Sequence, residues 1–266
     1  MRWECMRVIR WLVVGLFVLS LGLWTLVRYQ EWKRQDVHAP IITAQPEVLN
    51  LSVDEMKTGL MEGVQAWDEE EGDLTEQVIL GGLSSLSSDG SCYVSYTVFD
   101  RANHSATLRR KVVMEDYHSP QFQLISALVF EQGGKEDPIS YIRAFDMLEG
   151  EITDSITSLE NDLDMGQPGE YMIQVQVANS MGDLSELSLP VHVLEQGEVA
   201  LENQCPLLYL ACGESWNAYD YVWAISGQGE EKLQIEDGVD ASTPGVYQVH
   251  YWAGKQHTWM TVVVYE

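Results

Sequence analysis

Between Gly245 and Ala253 apolar and polar positions alternate, with Tyr247, Val249 and Tyr251 on one parity and Gln248, His250 and Trp252 on the other. A period of two is that of a strand burying one face, so Tyr247, Val249 and Tyr251 are expected inward and Trp252 outward beside His250. The same alternation occurs twice upstream. Cys92, Val94, Tyr96 and Val98 lead to Asp100, and Tyr171, Ile173, Val175 and Val177 lead to Asn179. Each run is followed by another, "ATLRRKVVM", "SELSLPVHV" and "TWMTVVVYE", across short polar connections, "DRANHS", "NSMGD" and "AGKQH". Paired alternating runs of this kind predict three hairpins. Shorter β-branched pieces, "PEVLNLSV", "FQLISALVF" and "PLLYLA", precede them. Beyond residue 40 no helix-period stretch of useful length competes, although "LSVDEMKTGLMEGV" allows a turn or two.

The hairpins belong to a longer repeat. "AWDEEEGDLTEQV" (66–78) aligns without a gap on "AFDMLEGEITDSI" (144–156), an offset of 78. After one gained residue, Gly90 meets Gly169, Tyr96 meets Val175 and Asp100 meets Asn179. Gly245, Tyr247, Val249 and Tyr251 fit the same frame. Units of roughly 70 to 80 residues with many short strands predict β-sandwiches rather than a solenoid. The fold class is therefore all-β: three tandem immunoglobulin-like sandwiches over 40–116, 117–196 and 197–266, behind a segment 1–39. The joints "EDYHSP" and "EQGEVALENQ" are short, which predicts a semi-extended string with limited hinging.

One stretch breaks the β pattern. "VIRWLVVGLFVLSLGLWTLV" (8–27) carries a single charge, Arg10, and 17 residues from Trp11 onward carry none. That is the lower end of what crosses a hydrocarbon core of roughly 30 Å, with Trp11 and Trp24 where interfacial aromatics belong. A cleaved signal peptide is the alternative. Trp24, Leu26, Val27 and Arg28 offer no small-residue cleavage site, while Ser20 and Gly22 leave a poor one. The expectation is an uncleaved, single-pass anchor with the short N-terminus inside and the bulk extracytoplasmic.

Charge removes one class of partner. Residues 40–266 hold 9 Lys and Arg against 38 Asp and Glu, a net charge of −29. Such a field repels phosphate backbones and draws cations and basic partners, so no nucleic acid is expected. The cysteines leave the compartment open. Cys92 falls at an inward position. Cys205 and Cys212, about 23 Å apart if in one extended strand, pair only if the chain folds back; free thiols are favoured.

The run Ala-x-Asp, three residues, Gly72-Asp73-Leu74-Thr75, then Gly90-x-x-x-Val94-x-Tyr96-x-Val98-x-Asp100, together with "VDASTPGVYQVHY" (239–251), resembles the bacterial immunoglobulin-like domain found in an insecticidal crystal protein and in many Gram-positive surface proteins. The likeness covers nearly all of the chain past residue 40, although the third unit lacks the Gly-Asp-Leu-Thr element and has Lys255 where the first has Asp100. It implies an extracytoplasmic tandem without intrinsic catalysis, serving as spacer, stalk or adhesion module.

Two candidate sites follow from the residues. Asp68, Glu70, Glu71 and Asp73, with Asp100 approaching from the later loop, offer hard oxygens for calcium. The simpler reading, which is favoured, has Asp68 and Asp73 capping turns and Glu69 to Glu71 as a solvated run. Trp252 and Trp259 with His250 are candidates for contact with a cell-surface protein or glycan; cross-strand packing is the alternative. No cofactor is expected. The six histidines stand in no metal-ligand spacing, and no nucleophile motif is present, so no enzyme is expected. Arg109, Arg110 and Lys111 read as a guard on an edge strand. The expected function is a non-catalytic cell-surface stalk, adhesion or protein-interaction module, with a carbohydrate-binding accessory of a cell-envelope or glycan-processing system as the alternative.

Overall fold

The computed structural model describes residues 2–33, 37–227 and 229–266. Arg2–Lys33 is a single α-helix, and within it Val13–Gln30 is long and apolar enough to cross a membrane. Leu16, Phe17, Leu19, Leu23 and Trp24 are all exposed, so apolar side chains face outward all round the helix. A helix of that kind is a membrane anchor or a signal sequence by composition.

Past the helix the protein is all-β, built of sandwiches. Two compact units are present, one of residues 1–49, 60–82 and 94–110, the other of residues 50–59, 83–93 and 111–266. In the first, Ile41–Ala44, Val64–Asp68 and Gly72–Asp73 form an antiparallel sheet, with Ile41 opposite Trp67 and Trp67 opposite Asp73. The strands Ser91–Phe99 and Ser105–Met114 lie in a sheet ordered Val48–Leu51, Ser105–Met114, Ser91–Phe99, Ile79–Leu83.

The second unit carries two further pairs of sheets. In one, Gly150–Glu151, Ile142–Asp146 and Gln121–Leu124 face Thr157–Asn161, Gly169–Ala178, Leu184–Leu194 and Val129–Glu131. Phe122, Leu124, Ile142 and Ala144 from the first sheet pack with Ile173, Val175, Leu189 and Val191 from the other. In the last pair Gly245–Ala253 and Gln256–Tyr265 form the central hairpin, flanked by Gln234–Asp237 and, in parallel, by Leu207–Ala211. The short sheet of Glu202–Asn203 and Ile225–Ser226 closes over it, and Leu201 and Ile225 meet Val249, Tyr251, Met260 and Val262.

Alternation explains these cores. Ser91–Phe99 buries Cys92, Val94, Tyr96 and Val98, and Gly245–Ala253 buries Val249, Tyr251 and Ala253 with Tyr247 half-covered, as the period of two requires. Tyr96 and Tyr251 occupy the same place in the repeat, and each sends its phenol to a carbonyl in or beside a 3₁₀ turn: Tyr96 to Leu60, Tyr251 to Ala218. The middle copy has Val175 there and makes no such bond. Cys92, Cys205 and Cys212 are thiols.

The basic trio departs from the edge-strand expectation. Ser105–Met114 lies between Val48–Leu51 and Ser91–Phe99 and is not at an edge. Arg110 points inward, buried, donating from Nε to the Pro46 carbonyl at 2.9 Å and from Nη1 to the Glu62 carbonyl at 2.6 Å. A guanidinium thus ties two loop carbonyls in the interior, where an edge guard needs only exposure.

Replacing Tyr251 by Phe leaves the Ala218 carbonyl buried without its donor at 2.8 Å. The variant is expected to lose about 1–3 kcal/mol of stability, read by chemical denaturation of the full chain in detergent.

Candidate functional site

The repeated motif is a folding device whose parts are now visible. Asp68 Oδ1 accepts from the backbone N–H groups of Glu70 and Glu71 at 3.0 and 2.9 Å, and Asp146 Oδ1 accepts from Leu148 and Glu149 at 2.8 and 3.0 Å. The chain turns back through Gly72 and Gly150, at φ of 82° and 80°, a left-handed conformation that costs a side chain-bearing residue energy. Thr75 and Thr153 then accept from the N–H groups of Ala66 and Ala144. Asp, Gly and Thr recur because each serves one backbone group of the same turn.

At the same end of each sandwich the hairpin loop contributes a second aspartate or its amide. Asp100 Oδ1 accepts from the His104 N–H at 2.7 Å, and Asn179 Oδ1 accepts from the Asp183 N–H at 3.0 Å. Glu71 and Glu149 reach over to the N–H groups of Arg101 and Ser180, both at 2.6 Å. In the second copy the polar cluster is closed: Asn179 Nδ2 donates to Asp146 Oδ2 at 3.0 Å and to the Tyr117 hydroxyl at 3.1 Å, while that hydroxyl donates to Asp183 Oδ2 at 2.7 Å. Burial first, then the Asp183 carboxylate, pushes the Tyr117 phenol far above its ordinary range, so it stays a donor. In the first copy Asp100 replaces the amide, and its Oδ2 meets His104 Nδ1 at 2.7 Å. Burial works against its charge, yet the His104 amide and ring hold the carboxyl below its usual value.

A different constellation forms in the third copy. Trp259 lies between two imidazoles, with His192 stacked at 3.8 Å and 8° and His250 at 4.1 Å and 1°. Trp252 stacks on the far side of His250 at 4.6 Å. His192 belongs to Leu184–Leu194 of the preceding copy, and Gln248 of the third reaches its Nε2 at 2.9 Å. Ala127, Val129 and Leu194 pack around Trp259. Burial, then the charge of His250, brings His192 down to about 4, with Gln248 pulling the other way. Burial, then His257, brings His250 to about 4. Its Nε2 lies 3.0 Å from His257 Nδ1, and Glu236 and Glu198 stand 3.9 and 3.6 Å from the outer nitrogens of the two rings.

The candidate residues therefore divide. Trp252, Trp259 and His250 are brought together, half-buried, in this ladder. Of the acidic set, Asp68, Glu71 and Asp100 gather around one loop pair, whereas Asp73 turns to the Thr75 N–H at 2.9 Å and Glu70 to His38 at 2.8 Å. Among the described residues no group of three or more His, Cys, Asp and Glu side chains forms a ready-made metal cage. His192, Tyr117 and Asp183 had no local signature; they meet their partners only across strands and copies. Tyr219 and Trp223, 72% and 68% exposed on the 3₁₀ segment Ala218–Ala224, were likewise hidden in an aromatic-rich stretch.

No family model matches the chain. It is 28% identical over 145 residues to the pesticidal crystal protein Cry22Aa of Bacillus thuringiensis, which covers 53% of this chain and 20% of that protein. The relation is a weak homology, and the chain spans about a fifth of that relative. Among solved structures, the CBM51-2 and INT domains of Clostridium perfringens ZmpB in complex with GlcNAc share 19% identity at a TM-score of 0.25, covering 58% of this chain and 41% of that one. Drosophila N-cadherin EC1-4 shares 15% at 0.21, covering 76% and 62%. Likenesses this slight bear on nothing further.

The histidine values set a pH dependence. Both rings bind protons more weakly folded than unfolded, so stability is full above about 6.5 and falls as pH drops toward 4. The loss is on the order of 3 kcal/mol for His192 and smaller for the more open His250. Thermal melts of the full chain from pH 7 to 4 should show this slope, and His192→Gln should flatten it; an equal slope in the variant would remove His192 as its source.

Proposed function

We propose that the chain is a non-catalytic, membrane-anchored display protein, with its sandwiches outside the cell acting as stalk, adhesion or interaction modules. The observation that carries this reading is the joint at Trp259. His192 and Gln248 bring the second and third copies into register through one stacked ring and one hydrogen bond, around an apolar seat of Ala127, Val129 and Leu194. A spacer that holds a terminal module at a set orientation needs such a joint, because a flexible link dissipates reach and direction. The outward-facing apolar helix supplies the tether, and a net charge of −29 over residues 40–266 keeps the displayed part soluble.

Because Trp259 is engaged in the joint, Tyr219 and Trp223 are our choice for the partner surface of the third copy. These rings are the most exposed aromatics among the described residues outside the helix. Asn217 caps their segment through the Tyr219 N–H at 3.2 Å, so they are presented on ordered backbone. Rigid, exposed aromatics suit a protein hot spot. The same flat faces favour the second reading, a glycan-binding accessory, since a ring of this exposure can stack on a sugar.

Location is tested with the exposed Cys212 thiol. A membrane-impermeant maleimide should label intact cells expressing the full chain and fail with Cys212→Ser; labelling only after permeabilisation would place the sandwiches inside. For contact, the full chain in detergent is applied to a glycan array and to cells. Tyr219→Ala with Trp223→Ala should lower binding at least tenfold, with unchanged melting temperature. Retained binding would remove this surface, and signal on the array would decide for the glycan.

A further inference from the structure

Two copies of one polar cluster differ by a single functional group, and that difference leaves an atom unsatisfied. In the second copy Asp146 Oδ2 receives the Asn179 amide at 3.0 Å. The matching atom in the first copy is Asp68 Oδ2, since Oδ1 of each aspartate is occupied by the same two turn N–H groups. Asp100 stands in the place of Asn179, closing its loop through the same bond, its N–H donating to the His104 carbonyl at 3.1 Å as the Asn179 N–H donates to that of Asp183 at 3.0 Å. A carboxylate has no N–H to give. Asp68, only 1% exposed, is accordingly left with Oδ2 buried and without a hydrogen-bond partner.

A buried oxygen of this kind is costly, and a second buried carboxylate opposite makes it costlier. Asp100 is 5% exposed, and Glu71, with its side chain 12% exposed, adds a third anion to the same loop pair. Among the described residues His104 lies on the Asp100 carboxylate, and Arg101 has its Nε 3.4 Å from Glu71 Oε2 with 89% of its side chain in solvent. Neither is placed on Asp68 Oδ2.

We propose that this end of the first sandwich takes a hard divalent cation of the calcium class between Asp68 and Asp100, with water completing its shell, at the position where the second copy holds the Asn179 amide. Two side-chain carboxylates and water make a weak site, in the range of about 10⁻⁴–10⁻³ M typical of extracellular modules. The cation replaces the amide's electrostatic role: it satisfies Asp68 Oδ2 and offsets the repulsion between the two aspartates. The inference does not rest on where the chain is displayed.

The probe is calcium chloride, titrated to 10 mM against the full chain in detergent at constant 150 mM potassium chloride, with melting temperature as the readout. The native chain should gain roughly 2–4 °C. Asp100→Asn restores the pairing of the second copy, so it should melt no lower than the native chain without calcium and should lose the calcium-dependent rise. Asp68→Asn, which supplies the amide from the other side, guards against a folding defect peculiar to the first variant and should also lose the rise. No rise in the native chain, or an equal rise in both variants from general screening of the acidic surface, would overturn the site.

Discussion

The structure depends on the two-faced hairpin in each repeat. Val94, Tyr96 and Val98, Ile173, Val175 and Val177, and Val249 and Tyr251 all fall on one parity of their strands and are all withdrawn from water. A slip of one residue in any hairpin would carry that set to the solvent face, so register is enforced by burial along the whole strand. With the inward parity spent on the core, the outward parity and the loops at the strand ends remain for other work. That is where His250, Trp252, Asp100 and Asn179 stand.

Repetition with local change then generates the differences among the copies. The turn built on Asp, Gly and Thr shares its aspartate and threonine bonds to the backbone in the first two, and supports a polar cluster beside the hairpin loop. In the second copy that cluster is closed by an amide and a tyrosine hydroxyl; in the first it holds two aspartates and a histidine. The third copy omits the turn. Its hairpin closes tightly on Gly254 at φ 59°, and its Gln248 and Trp259 instead reach His192 of the neighbouring copy.

The joint at Trp259 shows how a modest change of surface becomes architecture. Stacking one indole between imidazoles from two copies uses flat faces that need little shape adjustment, and the histidines stay neutral because burial disfavours their charge. The same arrangement that fixes direction also makes that part of the molecule sensitive to acid. Acid thus acts where the second and third copies meet, through His192 and His250 on the two faces of Trp259.

Much of the fold was legible in the residues themselves. The alternation of Gly245–Ala253 and its two counterparts, the repeat of Ala66–Val78 in Ala144–Ile156, and the apolar run near the N-terminus act through neighbours two to four positions apart or through sheer composition, and local chemistry suffices to read them. Arg110 could not be read so, because an arginine in an alternating run reads the same whether its strand ends at an edge or lies inside a sheet; only the position of Val48–Leu51 decided it. Asp68 and Asp100 were visible as acids, whereas the orphaned oxygen between them required the folded comparison with Asp146 and Asn179. His192 meets Trp259 across 67 residues of chain, and no spacing rule reaches that far. Local alternation thus determined the sandwiches, and tertiary packing alone decided which side chains meet between them, because those meetings join residues that are distant in sequence and share no periodicity.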